Sequence, residues 1–209
     1  ASFLSAITAL AYALEAKDKY TLGHSQRVAD ISVAIAKGMG LPEGSVEKVK
    51  LAGLVHDIGK IGIRESVLNK PGRLTNDESQ HIQKHPEIGE RILTSVAEDE
   101  EILRLVRNHH ERYDGSGYPD RLKYDQIPLG ARILAVADAY EAMTSERPYR
   151  PVKTSQEAIQ ELQAQAGRQF DSQVVTAFVA VLEDGQAPTA EDAGLALSAV
   201  QGYDSLRMY

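Results

Sequence analysis

Six histidines are spread along the chain, at His24, His56, His81, His85, His109 and His110. Several stand beside an acid or beside one another at positions where helical spacing turns them inward. His24 shares a face with Val28 and Ile31, and His56 ends the run Val49, Gly53 with Asp57 next. His109 completes the stripe Ile102, Leu105, Val106, and His110 follows it. A lone histidine on an apolar face is a hydrogen-bonded core residue in about three cases of four. Here that explanation would have to hold on at least four helices, and burying several imidazoles and carboxylates without a common partner is costly. A shared metal centre satisfies them together. Asp138, inside Ile133-Leu-Ala-Val-Ala-Asp138-Ala, adds a carboxylate with no close cation on its own helix. Cysteine is absent, so any metal must sit on His and carboxylates, which favours Zn, Mn, Fe or Ni.

The elements that must position these residues are helices. Ile7, Leu10, Ala11 and Leu14 recur at i, i+3, i+4, i+7. A second helix carries His24, Val28, Ile31 and Ile35 and stops near Gly38–Pro42. A third is expected from about Gly44 to Gly59, the glycine acting as its C-terminal stop. Residues 60–74 read as a loop, and Thr75-Asn-Asp-Glu78 is a capping-box pattern that starts the next helix. Helices follow near Glu87 and through Ile102–His109. Residues 113–128, with Gly115, Gly117 and Pro119, read as a loop. Ala131–Ser145 is apolar almost all round and is expected to be buried. Two more helices are expected at Ser155–Ala166 and Asp171–Leu182. No strand alternation is visible.

Composition narrows the function classes. The 209 residues carry a net charge of −7, so no general basic field attracts a nucleic acid polymer or an anionic membrane. An anionic substrate would need a local cluster of cations. The apolar stretch from Ala6 to Leu14 is far shorter than the ~20 residues a membrane span needs, and no signal-peptide pattern is seen. A cytoplasmic protein without membrane contact is expected. The domain is expected over residues 1–184, with 185–209 a tail or short terminal helix.

An ordered set of motifs then becomes specific. His56-Asp57-Ile-Gly-Lys60, His85-Pro86-Glu-Ile-Gly89, His109-His110-Glu111-Arg112-Tyr-Asp114-Gly-Ser-Gly117-Tyr118-Pro119, and Asp138 followed by Arg147-Pro-Tyr-Arg150 resemble the HD-GYP branch of the HD-domain phosphohydrolases. The likeness begins near Asp18 and runs to about Asp171.

The resemblance implies an all-α HD-domain helical bundle with the HD-GYP extension. It implies a phosphodiesterase that opens cyclic di-GMP to linear pGpG, using two divalent metal ions, Fe or Mn foremost and Zn, Ni or Co as alternatives. By motif, His24, His56, Asp57 and Asp138 would bind one metal. His85, His109 and His110 would bind the second, with Asp57 bridging both and a bridging hydroxide as nucleophile. Lys60 would face the phosphate and act with Asp57 in catalysis. Arg147, Arg150, Tyr118 and Asp18 would contact substrate. The Gly117-Tyr118-Pro119 loop would wall the pocket or dock a protein partner. His81 matches no ligand position and is expected at the surface.

Tyr20 stands where some relatives of the resembled family place a glutamate that helps hold a third metal. A phenol loses its proton only near ~10 and is a poor ligand at neutral pH. A binuclear site ending at pGpG is therefore expected. Two other readings stay open: a catalytically silent cyclic di-GMP receptor or docking module, and an HD hydrolase for another cyclic dinucleotide.

Overall fold

Apolar residues at helical spacing build most of the helices of the computed structural model, which describes Ala9 and residues 23–95, 99–145 and 151–185. The expected first helix at Ile7–Leu14 apart from Ala9, residues Asp18, Tyr20, Arg147 and Arg150, and the tail 186–209 lie outside the described residues.

Helix α1 (His24–Gly38) turns Val28, Ile31 and Ile35 into the core, and α2 (Glu43–Val55) begins after Pro42 and packs against it. A 3₁₀ turn (Ile58–Gly62) and the short α3 (Glu65–Leu68) follow. Helix α4 (Asn76–Ile82) starts on the expected capping box, Thr75 accepting from the Glu78 amide and the Glu78 carboxylate accepting from the Thr75 amide. Then come α5 (His85–Thr94) and α6 (Glu100–Asn108), the latter capped by Asp99. A long loop with one 3₁₀ turn (Tyr124–Gln126) leads to α7 (Leu129–Thr144). Helices α8 (Ser155–Ala164) and α9 (Ser172–Glu183) are capped by Thr154 and Asp171.

The fold is all-α. Among the described residues there is no strand, only an isolated bridge between Ala166 and Phe170. No described helix is long and apolar enough to cross a membrane.

Helix α7 is the central element. It buries residues on several faces, Ile133, Leu134, Val136, Ala137 and Tyr140 among them, and lies against α1, α2, α6, α8 and α9. That explains the absence of a polar stripe in its sequence. Tyr140 meets Phe178 of α9 edge-to-face at 4.8 Å between centroids. Each of these fully buried rings stabilises by about 1.5–3 kcal/mol relative to exposure.

Three differences from the sequence expectation bear on the site or the core. Helix α2 ends at Val55, not Gly59, so His56 and Asp57 occupy the break before the 3₁₀ turn rather than a helical turn. Residues 60–74 are not a plain loop, because Val67 anchors α3 in the core. Helix α8 ends at Ala164, two residues early, where the chain turns to place Phe170 in the core.

Candidate metal centre

Helix ends build the centre. The last carbonyls of a helix lack intrahelical partners, and three histidines use them in one way. His56, at the C-cap of α2, gives its Nδ1–H to the Gly53 carbonyl at 2.7 Å. His109, at the C-cap of α6, does the same to Val106 at 2.6 Å. His85 opens α5 and bonds back to Ile82, the last residue of α4, at 2.8 Å. In each ring Nδ1 carries the proton and Nε2 presents a lone pair inward. His24, on the first turn of α1, gives its Nδ1–H to the Glu141 carboxylate at 2.5 Å.

Gly59 lets two of these segments meet. A Cβ there would lie 1.9 Å from the His85 carbonyl oxygen and 2.5 Å from the Gly89 nitrogen. The glycine expected to stop a helix instead serves close backbone approach between the 3₁₀ turn and α5.

The inward atoms converge as two buried groups, His24-His56-Asp57 and Asp57-His85-His109-His110, with the donor atoms of each group within 4.8 Å of one another. Asp57 belongs to both. Its Oδ2 lies 3.5 Å from His56 Nε2 and 3.8 Å from His24 Nε2, while its Oδ1 lies 3.3 Å from His85 Nε2. Asp138 Oδ1 stands 3.4 Å from His24 Nε2, with its side chain partly exposed rather than fully buried.

These separations suit a cation. Donor atoms sharing one ion at about 2.1 Å stand about 3.0–3.5 Å apart. Fully buried His56 Nε2 has no hydrogen-bond partner. His85 Nε2 and His109 Nε2 face each other at 3.3 Å with both Nδ1 protons already committed, so two lone pairs meet with no proton between them. An unsatisfied buried nitrogen is costly, and a shared cation removes that cost.

The protonation states agree. Burial pushes His85 down to about 3, and burial likewise lowers His110 and holds His109 well below the usual imidazole range. All three are neutral at pH 7, the form that ligates. Burial would also lower His24, but the bond to Glu141 and the charges of Glu141, Asp138 and Asp57 outweigh it and raise the ring. Burial pushes Asp57 up, yet Lys60, then His56, His85 and His24, hold its carboxyl well below the ordinary carboxylate range.

Lys60 Nζ lies 2.6 Å from Asp57 Oδ2, so the expected phosphate-facing lysine is in the centre. Tyr118 lies over His110 at 5.0 Å between centroids, forming a wall of the site. Gly117 is buried where a Cβ would meet the Arg112 nitrogen at 2.2 Å, so the loop's glycine is required by close packing. The structure thus brings together His24, His56, Asp57, Lys60, His85, His109, His110, Tyr118 and Asp138. His81 lies on the surface side of the Thr75-capped helix, as expected, where no residue of α4 is fully buried. It is half-buried on α4, and its Nε2 accepts from the Arg64 amide at 3.2 Å.

Two buried acids escaped the sequence reading. Glu141 bonds His24 and also accepts Arg27 Nε at 2.8 Å and Nη2 at 2.5 Å. Burial pushes its carboxyl up, but the bond and charge of His24, then Arg27 and Ser145, bring it down to about 2. Glu111 accepts from the Asp120 and Leu122 amides at 2.7 and 3.2 Å and pins the loop after His110. The available signal for Glu141 was its place three residues after Asp138, on the same face of an apolar helix.

Fold and site together define an all-α domain with a buried His/Asp centre suited to divalent cations. The family model described as HD domain matches residues 9–174, and the chain belongs to the HD-domain family. It is 43% identical over 175 residues to the cyclic di-GMP phosphodiesterase response regulator RpfG of Xanthomonas campestris, spanning 83% of this chain and 46% of that protein. It is 40% identical over 173 residues to the 3'3'-cGAMP-specific phosphodiesterase 2 of Vibrio cholerae, spanning 79% of this chain and 32% of that protein. The chain therefore spans less than half the length of these relatives. The crystal structure of a cyclic GMP-AMP specific phosphodiesterase of V. cholerae, V-cGAP3, superposes with a TM-score of 0.70. That match has 20% identity and covers 93% of this chain and 53% of the other, and it shows the common fold.

Proposed function

We propose that the chain is a metal-dependent phosphodiesterase that hydrolyses cyclic di-GMP to linear pGpG. The observation that carries the reading is Asp57, whose two oxygens face two different histidine groups. A carboxylate so placed spans two cations, whereas a neutral imidazole serves one. His24, His56, Asp57 and Asp138 would hold one ion, and Asp57, His85, His109 and His110 the other. Fe or Mn is foremost, with Zn, Ni and Co as alternatives. Two bound cations would supply a water acidified toward neutral pH and would neutralise charge building on the phosphoryl oxygens.

The chain's own groups do the rest. Lys60 carries an ammonium beside Asp57, where it can pair with a phosphate oxygen of the substrate. Tyr118, largely withdrawn from solvent, offers a flat face against His110 on which a substrate can rest. The hydrogen bonds at Nδ1 of His24, His56, His85 and His109 keep each ring oriented through the reaction. Arg147, Arg150 and Asp18 complete the proposed substrate contacts, and Tyr20 argues for stopping at pGpG.

A second substrate has a specific basis, since relatives of similar identity are named for cyclic di-GMP and for 3'3'-cGAMP. One experiment separates the readings. Protein loaded anaerobically with Fe(II) or with Mn(II) is incubated with cyclic di-GMP, 3'3'-cGAMP and pGpG, alongside Asp57→Ala. Turnover of cyclic di-GMP faster than 3'3'-cGAMP, ending at pGpG and absent in Asp57→Ala, is the expected result. Faster 3'3'-cGAMP cleavage selects the second substrate. Tight binding of either without turnover selects a receptor and rejects the enzyme.

A further inference from the structure

The rings of the centre are not all held alike. His56, His85 and His109 each donate to a backbone carbonyl three residues earlier. His24 donates to a side-chain carboxylate. Glu141 is 2% exposed, and its second oxygen takes both Nε and Nη2 of Arg27 and the Ser145 hydroxyl at 2.6 Å. Arg27 lies three residues after His24 on α1, and Glu141 lies three residues after Asp138 on α7. Two helix faces thus meet as a ladder: His24 against Asp138 and Glu141, Arg27 against Glu141.

A buried carboxylate persists only when paired and bonded, and Arg27 supplies the planar fork that does both. With Arg27 in place, Glu141 remains ionised behind the imidazole. A carboxylate behind a ligating histidine fixes its tautomer and enriches the lone pair at the opposite nitrogen. A neutral backbone carbonyl fixes the tautomer but donates less, because charge-assisted hydrogen bonds are roughly twice as strong. The inner donors differ in the same sense. The His24 half has Asp57 and Asp138, two anions; the His85 half has Asp57 alone with three neutral rings.

On the reading that these groups hold metal ions, we propose that Glu141, held by Arg27, is the positioning residue that orients His24 and makes the His24–His56–Asp138 half fill before the His85–His109–His110 half. Glu141 touches neither substrate nor metal; it acts through His24. Its isosteric amide cannot replace it. Turning the amide oxygen to His24 sets its NH₂ against the Arg27 guanidinium, donor against donor. Turning it the other way presents NH₂ to Nδ1 and moves the ring proton to Nε2, the ligand atom.

The test is a titration of metal-stripped protein with Mn(II), free ion being read by electron paramagnetic resonance, with far-UV circular dichroism to verify folding. The wild type takes up two ions in two steps, and His85→Ala keeps only the tighter one. Glu141→Gln weakens the tighter step by about 10–100-fold and leaves the weaker step in place. Arg27→Lys, which keeps the charge and loses the fork, weakens the same step by less, and it carries the test if Glu141→Gln does not fold. Glu161→Gln, which loses only an ion pair to Lys153 remote from the centre, moves neither step. A folded Glu141→Gln protein with an unchanged tighter step overturns the proposal, as does equal weakening of both steps. A wild type that binds no Mn(II) overturns the metal reading along with it.

Discussion

Replacing Gly59 by alanine tests how the centre is assembled. The added Cβ would sit 1.9 Å from the His85 carbonyl oxygen and 2.5 Å from the Gly89 nitrogen, both backbone atoms that no rotamer change can move. Ordinary contact begins near 3.4 Å, so the 3₁₀ turn and the start of α5 must part by about 1.5 Å. Forced overpacking of this kind costs about 1–3 kcal/mol. For a domain of this size that is a fall in Tm of about 2–12 °C. The same parting separates Asp57 from His85, whose facing atoms stand 3.3 Å apart, across the seam between the two groups. A displacement of about 1 Å in a catalytic constellation can cost about 10²-fold in rate. Differential scanning calorimetry and cyclic di-GMP turnover at saturating Mn(II) read the two effects on one preparation. A Gly59→Ala protein with wild-type Tm and wild-type turnover would refute the argument that this glycine brings the ligand segments together.

Other outcomes are expected. Mn(II) at 100 times its dissociation constant should raise the unfolding free energy of stripped protein by about 2.7 kcal/mol per independent site, read from urea midpoints with and without chelator; no shift would deny binding to the native state. Glu111→Gln should cost about 1–3 kcal/mol by setting an amide NH₂ against the Asp120 and Leu122 amides, and a neutral result in thermal melts would contradict the role given to that acid. Bonding to Arg107, opposed by burial and aided by Asn108, holds the Asp120 carboxyl below its ordinary value. Its stabilisation is therefore present above the unfolded value near ~3.9 and is lost as pH falls through the lower folded one. Wild type should exceed Asp120→Asn in urea midpoint at pH 7, and the two should converge at the acid end; a gap that widens on acidification would reverse that sign. Thr75→Ala removes one arm of a capping box and should cost about 1 kcal/mol, with faster amide exchange confined to α4.

Much of the centre was legible because metal chemistry constrains residue type. Histidines recurring on inward faces, with Asp57 and Asp138 among apolar neighbours, already implied a common partner, and those residues do converge. What sequence could not supply was the local backbone. Gly59 carries the signature of a helix stop, and only its closeness to His85 and Gly89 reveals another use. His81 shows no periodic cue for the amide of Arg64, a contact made across the connection between α3 and α4. Glu141 was missed because a carboxylate on an apolar helix says that a partner exists without saying which, and its partners His24 and Arg27 lie 117 and 114 residues away. Helix interiors were read well and helix ends poorly, since periodicity speaks for the former while tertiary packing decides the latter.

The tethering of His56, His85 and His109 to their own helix ends has a consequence for selectivity. Each ring is aimed by a bond to a carbonyl three residues back, so its direction belongs to the backbone and cannot adjust when one ion replaces another. Ions of similar radius and ligand preference would fit one such frame of imidazole and carboxylate donors, so the donor set by itself would separate them little. If these groups hold metal ions, discrimination among Mn, Fe, Co, Ni and Zn would pass from the protein to its surroundings, and the supply would decide the occupant. The same chain expressed in two media should carry two different metals in one unchanged frame.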